Sequence, residues 1–212
     1  MSAAPIPIPC TRDTRTHRVI RDMEARRRRV RDEVVQLDVA VYAAIAATPT
    51  PALDRGFRRL SRAADHSKLW LSGAVVLAGA GGAAGRRAGV NGLGSIALTS
   101  AAVNLVLKPL GRRRRPDRSR HRVPVVRHVA MPGSTSLPSG HAASASAFAT
   151  GVSSAASGAA IPLRAMAALV AYSRVHTGVH YPLDVIAGSI AGSALAPFAV
   201  AALDRVRADH PR

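Results

Sequence analysis

Charged residues are unevenly spread along this chain, and the gaps between them form its clearest pattern. Residues 69–85, 88–107, 142–163 and 185–203 contain no Asp, Glu, Lys or Arg, which leaves uncharged stretches of 17, 20, 22 and 19 residues. Each is close to the ~20 residues with which a helix crosses a bilayer. A shorter apolar segment, 161–176, carries Arg164 near one end and Arg174 near the other, where long cationic side chains can reach the interfaces. Five membrane-spanning helices are therefore predicted. Ahead of them Val34, Leu37, Val41, Ala44 and Ile45 recur at helical spacing, which predicts an amphipathic helix over 33–47 that Thr48-Pro49-Thr50-Pro51 ends. A second short helix, about 52–65, leads into the first span. Gly188 and Gly192, four apart, predict close helix packing, and Trp70 and Tyr181 read as anchors at the membrane surface. The expected fold is all-α: a polytopic membrane bundle of about five transmembrane helices plus the N-terminal amphipathic helix, multi-pass in the cell membrane. The same stretches would also suit the Ala-rich buried helices of a soluble bundle.

Charge changes this picture at one end. The 212 residues hold 30 Lys+Arg against 12 Asp+Glu, for a net charge of +18, and all but two of the cations are Arg. Arg12, Arg15, Arg18, Arg21, Arg26–Arg29 and Arg31 crowd residues 1–32, with Pro5, Pro7 and Pro9 before them. That segment lacks the apolar core of a secretory signal. It reads as a basic, unstructured arm on anionic lipid headgroups, set apart from a helical unit of residues 33–212. Nucleic acid is the rival partner, but aromatics are only 3% of the chain, too few for base stacking, so no specific nucleic acid is expected. A single cysteine, Cys10, excludes a disulfide framework and any Cys-rich zinc module.

Three clusters carry chemistry. Lys108, six residues and then Arg115-Pro116 follow the second span. Pro138-Ser139-Gly140-His141 precedes the third, and Ser173-Arg174, five residues, His180, three residues and Asp184 lie between the fourth and fifth. If each uncharged stretch crosses once, all three fall on the same membrane face. Lys108, Arg115 and Arg174 supply fixed positive charge, and arginine can fork onto two oxygens. Ser139, Gly140 and His141 open a helix, where free N–H groups favour an anion. Asp184 can hold one nitrogen of His180 and leave the other to attack, while His141 remains to protonate a leaving oxygen. Asn104, deep in a span, is either glue between helices or a neighbour of this pocket. His176 either touches substrate or simply ends a helix. Arg112–Arg114 read as a topology-setting loop or headgroup contacts.

Lys-x6-Arg-Pro, Pro-Ser-Gly-His and Ser-Arg-x5-His-x3-Asp together resemble the three-part signature of the type 2 phosphatidic acid phosphatase family, which vanadium haloperoxidases and bacterial acid phosphatases share. The resemblance covers about residues 54–204. It implies that His180 forms a phosphohistidine, that Asp184 orients it, and that His141 protonates the departing alkoxide and then activates water. It implies that Lys108, Arg115, Ser139, Gly140 and Arg174 hold the phosphoryl oxygens, with no metal and no cofactor. The expected activity is hydrolysis of a lipid phosphate: polyprenyl-linked phosphate or diphosphate, or a phosphatidate-type lipid. The alternatives are a soluble acid phosphatase or haloperoxidase, and a non-catalytic basic protein bound to membrane or nucleic acid. With five spans the arm and the site share a side; were 33–47 to cross as a sixth helix, the site would face out, as the resemblance implies.

Overall fold

The computed structural model describes residues 14–210, all of whose regular structure is helical. Compactness divides the chain between Val39 and Ala40, the larger unit running to the C-terminus. The first helix, α1 (Thr14–Ala47), is 34 residues long. Residues 14–32, expected as an unstructured arm, are therefore helical, and the helix expected over 33–47 starts much earlier. The physical reason is plain in the sequence: no Gly or Pro occurs between residues 10 and 48, and Arg, Glu, Met and Ala are good helix formers. The prolines and Cys10 of the arm lie outside the described residues. At the other end α1 stops where it was expected to, and Thr48 Oγ1 turns back to donate to the Ala44 carbonyl at 2.8 Å.

The larger unit continues with α2 (Pro51–Ala63), opened by a proline at its first turn, then α3 (Lys68–Ala80) and α4 (Gly82–Ala102). A π-helical turn over Val103–Leu107 runs on into the short α5 (Lys108–Gly111). After an irregular loop come α6 (Gly140–Ser153), α7 (Ala160–His176) and α8 (Pro182–Asp209). α6 lies at the centre, packed most extensively on α8 and α4. Small residues allow that closeness: a side chain at Gly188 would strike the Ser139 carbonyl, and one at Gly192 the Ala143 carbonyl. Trp70, expected at the membrane surface, is buried against Phe148 at 5.3 Å instead. The indole joins an apolar cluster with Ala74, Ala88, Ile96 and Phe148, whose burial outweighs an interfacial position.

Two of the uncharged stretches hold turns that a count of charges does not register. The chain breaks at Gly81-Gly82 inside 69–85, and at 154–159 inside 142–163. Five helices still follow α2, counting α4 through α5 as one. Two of these, residues 82–111 and 182–209, are long and apolar enough to cross a membrane. α3 and α6, at 13 and 14 residues, reach only about 20 Å by the helical rise of ~1.5 Å per residue.

The loop between α5 and α6 is fastened from beneath. Arg127, fully buried, donates through Nε to Asp54 Oδ1 at 2.8 Å and through Nη2 to the Thr48 carbonyl and Thr50 Oγ1 at 2.7 and 3.0 Å. Its Nη1 reaches the Ile45 carbonyl at 3.1 Å. A buried guanidinium is tolerable only when so fully bonded. His176 joins this cluster, 3.0 Å from Asp54 Oδ1, which makes it part of the anchor rather than a substrate contact.

Candidate active site

Each predicted cluster is set by a local break in helix geometry. The π-helical turn delivers Lys108, and Arg112 then takes a left-handed conformation (φ 36°) that folds the following arginines back over the helix ends. Ser139 caps α6, its Oγ accepting from the Ala142 N–H at 3.4 Å. The first N–H groups of α6, at Gly140 and His141, have no acceptor among the described residues. Gly178, at φ +72°, makes the turn after α7 that sets His180 just ahead of α8, which Pro182 opens.

A continuous run of contacts joins all eight expected residues. Lys108 Nζ donates to Ser134 Oγ at 3.1 Å and lies 3.8 Å from where a side chain at Gly140 would begin. Arg115 Nη2 donates to the same Ser134 hydroxyl at 3.2 Å, and its Nη1 to His180 Nε2 at 3.1 Å and the Val179 carbonyl at 2.9 Å. On its other side His180 Nδ1 is 3.5 Å from Asp184 Oδ2, which also accepts the Tyr181 N–H at 2.8 Å. Asp184 therefore caps α8 and backs the histidine at once. Its backbone carbonyl accepts the Ser139 N–H at 2.8 Å, locking the start of α6 to the start of α8. Arg174, 1% exposed, donates through Nη1 to Ser61 Oγ at 2.6 Å, while its buried Nε has no partner among the described residues. A buried guanidinium nitrogen without a protein partner is suited to an anion.

Four further residues support the site. Arg113 Nη1 donates to Asp184 Oδ1 at 3.1 Å, and its guanidinium lies 4.1 Å over the Tyr181 ring. Arg113 is therefore no headgroup contact, and Tyr181 is no interfacial anchor. Ser136, fully buried, donates to Asp184 Oδ2 and lies 3.4 Å from His180 Nδ1. Asp65 Oδ1 is 2.9 Å from His141 Nε2 and 3.5 Å from Arg174 Nη1. Ser61 completes the set. Spacing alone could not single these out, since Arg113 sits in a run of four arginines and Asp65 and Ser61 act from a distant part of the chain.

Burial dominates the electrostatics of His180. It pushes the imidazole down to about 4, against the pull of Asp184 and with help from the Arg115 charge. The ring is neutral at neutral pH. With Nδ1 turned to Asp184 and Ser136, the lone pair of Nε2 faces the cations, an assignment that follows from its bonding partners.

Comparison with known proteins matches residues 89–208 to the PAP2 superfamily, more than half of the chain. The chain belongs to the PAP2 superfamily. It is 34% identical over 151 residues to the decaprenylphosphoryl-5-phosphoribose phosphatase of Mycolicibacterium smegmatis, covering 71% of this chain and 78% of that one. The corresponding Mycobacterium tuberculosis phosphatase is 34% identical over 158 residues, or 74% of this chain and 85% of that one. Among solved structures, LpxE of Aquifex aeolicus shares the fold with a TM-score of 0.63 at 23% identity, over 77% of this chain and 94% of that one. The phosphatidylglycerolphosphate phosphatase of Bacillus subtilis superposes with a TM-score of 0.61 at 26% identity, over 82% and 87%. This PAP2 protein is thus a membrane protein and a phosphatase of lipid phosphates.

Proposed function

We propose that this protein removes the terminal phosphate from a polyprenyl-linked lipid, through a phosphohistidine at His180. A decaprenylphosphoryl-5-phosphoribose-type lipid is the favoured substrate, supported by the 34% identity to phosphatases named for it. One observation carries the mechanism: a buried, neutral His180 lies between Asp184 on Nδ1 and the Arg115 guanidinium on Nε2. Nε2 attacks phosphorus while the bond to the leaving alkoxide breaks opposite. Arg115 exchanges its contact with the ring for a phosphoryl oxygen, and Lys108, Arg174 and the α6 N–H groups take the developing charge. The bound phosphate and Asp65 together draw a second proton onto His141, and the Nδ1 proton of that imidazolium passes to the leaving oxygen. His141 then takes one from the water that cleaves the P–N bond, releasing inorganic phosphate and restoring His180.

The neutral ring has a direct test. In a histidine-selective NMR titration, the signal lost in His180→Ala should titrate near pH 4, since protonation below that value removes the attacking lone pair. Titration near the ordinary ~6.5 would contradict the arrangement.

Asp65 is assigned to positioning. Its grip on Nε2 of His141 leaves Nδ1 to serve the leaving oxygen. Asp65→Asn is expected to lower kcat about 10- to 100-fold with KM little changed, the scale of a misplaced catalytic group. The phosphorylation burst with an activated aryl phosphate, whose leaving group needs no proton, should be slowed far less than turnover of the lipid. A burst slowed as much as lipid turnover would sink this role.

Five crossings, by α3, by α4 through α5, by α6, by α7 and by α8, put the three signature clusters on one face of the membrane. Cysteines placed by Ser119→Cys and Ser157→Cys in a Cys10→Ser background should then be labelled by an impermeant reagent from opposite sides. Labelling from the same side would overturn that topology.

A further inference from the structure

Beside the phosphate-binding groups a pocket of about 190 Å³ opens, with Lys108, Gly140 and His141 forming one wall. Its other polar lining comes from His66, Ser67, Ser100, Asn104 and Ser144. None of these five belongs to the signature, and none has a part in the transfer of phosphate described above. Together they present three hydroxyls, an amide and an imidazole.

Two helices build the pocket in parallel registers. Ser100, Asn104 and Lys108 follow one another at intervals of four on the segment that runs from α4 into α5. Ser144 lies one turn into α6 from Gly140. Each helix thus offers a phosphate-binding group at its end and neutral polar side chains one turn deeper. Ser100 Oγ and Ser144 Oγ approach to 3.4 Å across the gap. Asn104 Nδ2 donates to the Ser100 carbonyl at 2.9 Å, and its Oδ1 has no partner among the described residues. Polar groups inside an apolar membrane helix are costly unless they face one another or a wet cavity, and here they line one.

The third side is strained. His66 and Ser67 lie consecutively in left-handed conformations, at φ 54° and 59°, where neither is a glycine. Such strain gathers at sites that must hold a side chain in a set place. The π-helical turn that carries Asn104 is of the same kind, since π turns recur at functional positions.

We infer that this pocket binds the uncharged, hydroxyl-bearing ring of a sugar to which the reacting phosphate is attached, with Asn104 and Ser144 as its specificity residues. The inference rests on the phosphatase reading and names the leaving group within it. The lining excludes the alternatives. An acyl or prenyl chain would leave the amide and hydroxyls unpaired, at a cost of about 1–3 kcal/mol for each group buried. A second phosphate would find no lysine or arginine here beyond Lys108, which the first already uses. Neutral donors and acceptors fit hydroxyls, and the volume admits one small ring. Depth agrees as well: phosphate at the helix ends, ring one turn deeper, lipid anchor beyond.

The test compares two lipids on detergent-purified full-length protein: a prenyl-linked sugar phosphate, and a prenyl monophosphate in which no sugar intervenes. Asn104→Leu is expected to lower kcat/KM for the sugar phosphate about tenfold or more while leaving the prenyl monophosphate within about twofold. Ser144→Ala, a smaller change that keeps the fold if the leucine disturbs it, should lower the sugar phosphate alone by a few-fold. Equal losses on both lipids in both variants, or no loss on either, would overturn the assignment of the pocket. Failure of the wild-type protein to release phosphate from either lipid would instead overturn the phosphatase reading beneath it.

Discussion

Replacing His180 with alanine is expected to lower turnover by at least about 10⁴-fold, the scale on which removal of a covalent nucleophile acts. No phosphoenzyme should then form from any substrate. His141→Ala should behave differently. With an activated aryl phosphate the departing oxygen needs no proton, so His180 can still be phosphorylated. The water that must cleave the P–N bond then lacks its base, and the intermediate accumulates. Rapid quenching with a ³²P-labelled substrate should show label on His141→Ala protein that is stable in base and lost in acid. Label on His180→Ala, or turnover within tenfold of wild type, would contradict the mechanism. The asymmetry between the histidines follows from their surroundings. His180 has Nδ1 against Asp184 and Nε2 among the cations, whereas His141 opens α6 beside the leaving-group pocket with Asp65 behind it.

Asp184→Asn should cost nearly as much, about 10³- to 10⁴-fold in kcat, although it removes no atom from the attacking group. Asp184 accepts on both oxygens: from Arg113 on Oδ1, and from the Ser136 hydroxyl and the Tyr181 N–H on Oδ2. An amide has one acceptor oxygen and must turn its NH₂ toward a donor on one side or the other. If the NH₂ faces Oδ2's former partners, His180 loses the acceptor that fixes its tautomer, a loss known to act on this scale in other histidine–carboxylate sites. If it faces Arg113, two donors are opposed and the ion pair of Arg113 with Asp184 is lost. Asp184→Asn protein that retains turnover within tenfold of wild type would mean that Asp184 serves α8 alone. Arg113→Gln should fall between, because Ser136 and Tyr181 still hold the carboxylate.

The signature residues were legible because each is tied to a helix end, and uncharged stretches reveal helix ends well. Lys108 follows one stretch, Gly140 precedes the next, and His180 and Asp184 flank Pro182, so counting spans predicted them as neighbours. What could not be read was the choice among like residues. Arg112, Arg113, Arg114 and Arg115 are equivalent by type, and only the left-handed turn at Arg112 decides which guanidiniums point inward. Asp65 and Ser61 lie more than 70 residues from the histidine and arginine they bind, and that proximity exists only once α2 and the turn after it pack beside α6 and α7. The breaks at Gly81-Gly82 and at 154–159 escaped notice because a turn of Gly, Ala and Ser is as uncharged as the helices it joins. α1 shows the opposite error, in which a dense run of arginine was read as disorder although nothing in it breaks a helix.

Phosphate release across a panel of lipid phosphates is the most direct test of the whole account. Detergent-purified protein should be given a prenyl-linked sugar phosphate, a prenyl monophosphate, a prenyl diphosphate, phosphatidate and phosphatidylglycerol phosphate, each with His180→Ala as control. The account predicts release that is fastest on the prenyl-linked sugar phosphate and absent in the variant. Release that persists in His180→Ala, or none from any lipid by well-folded wild-type protein, would contradict it.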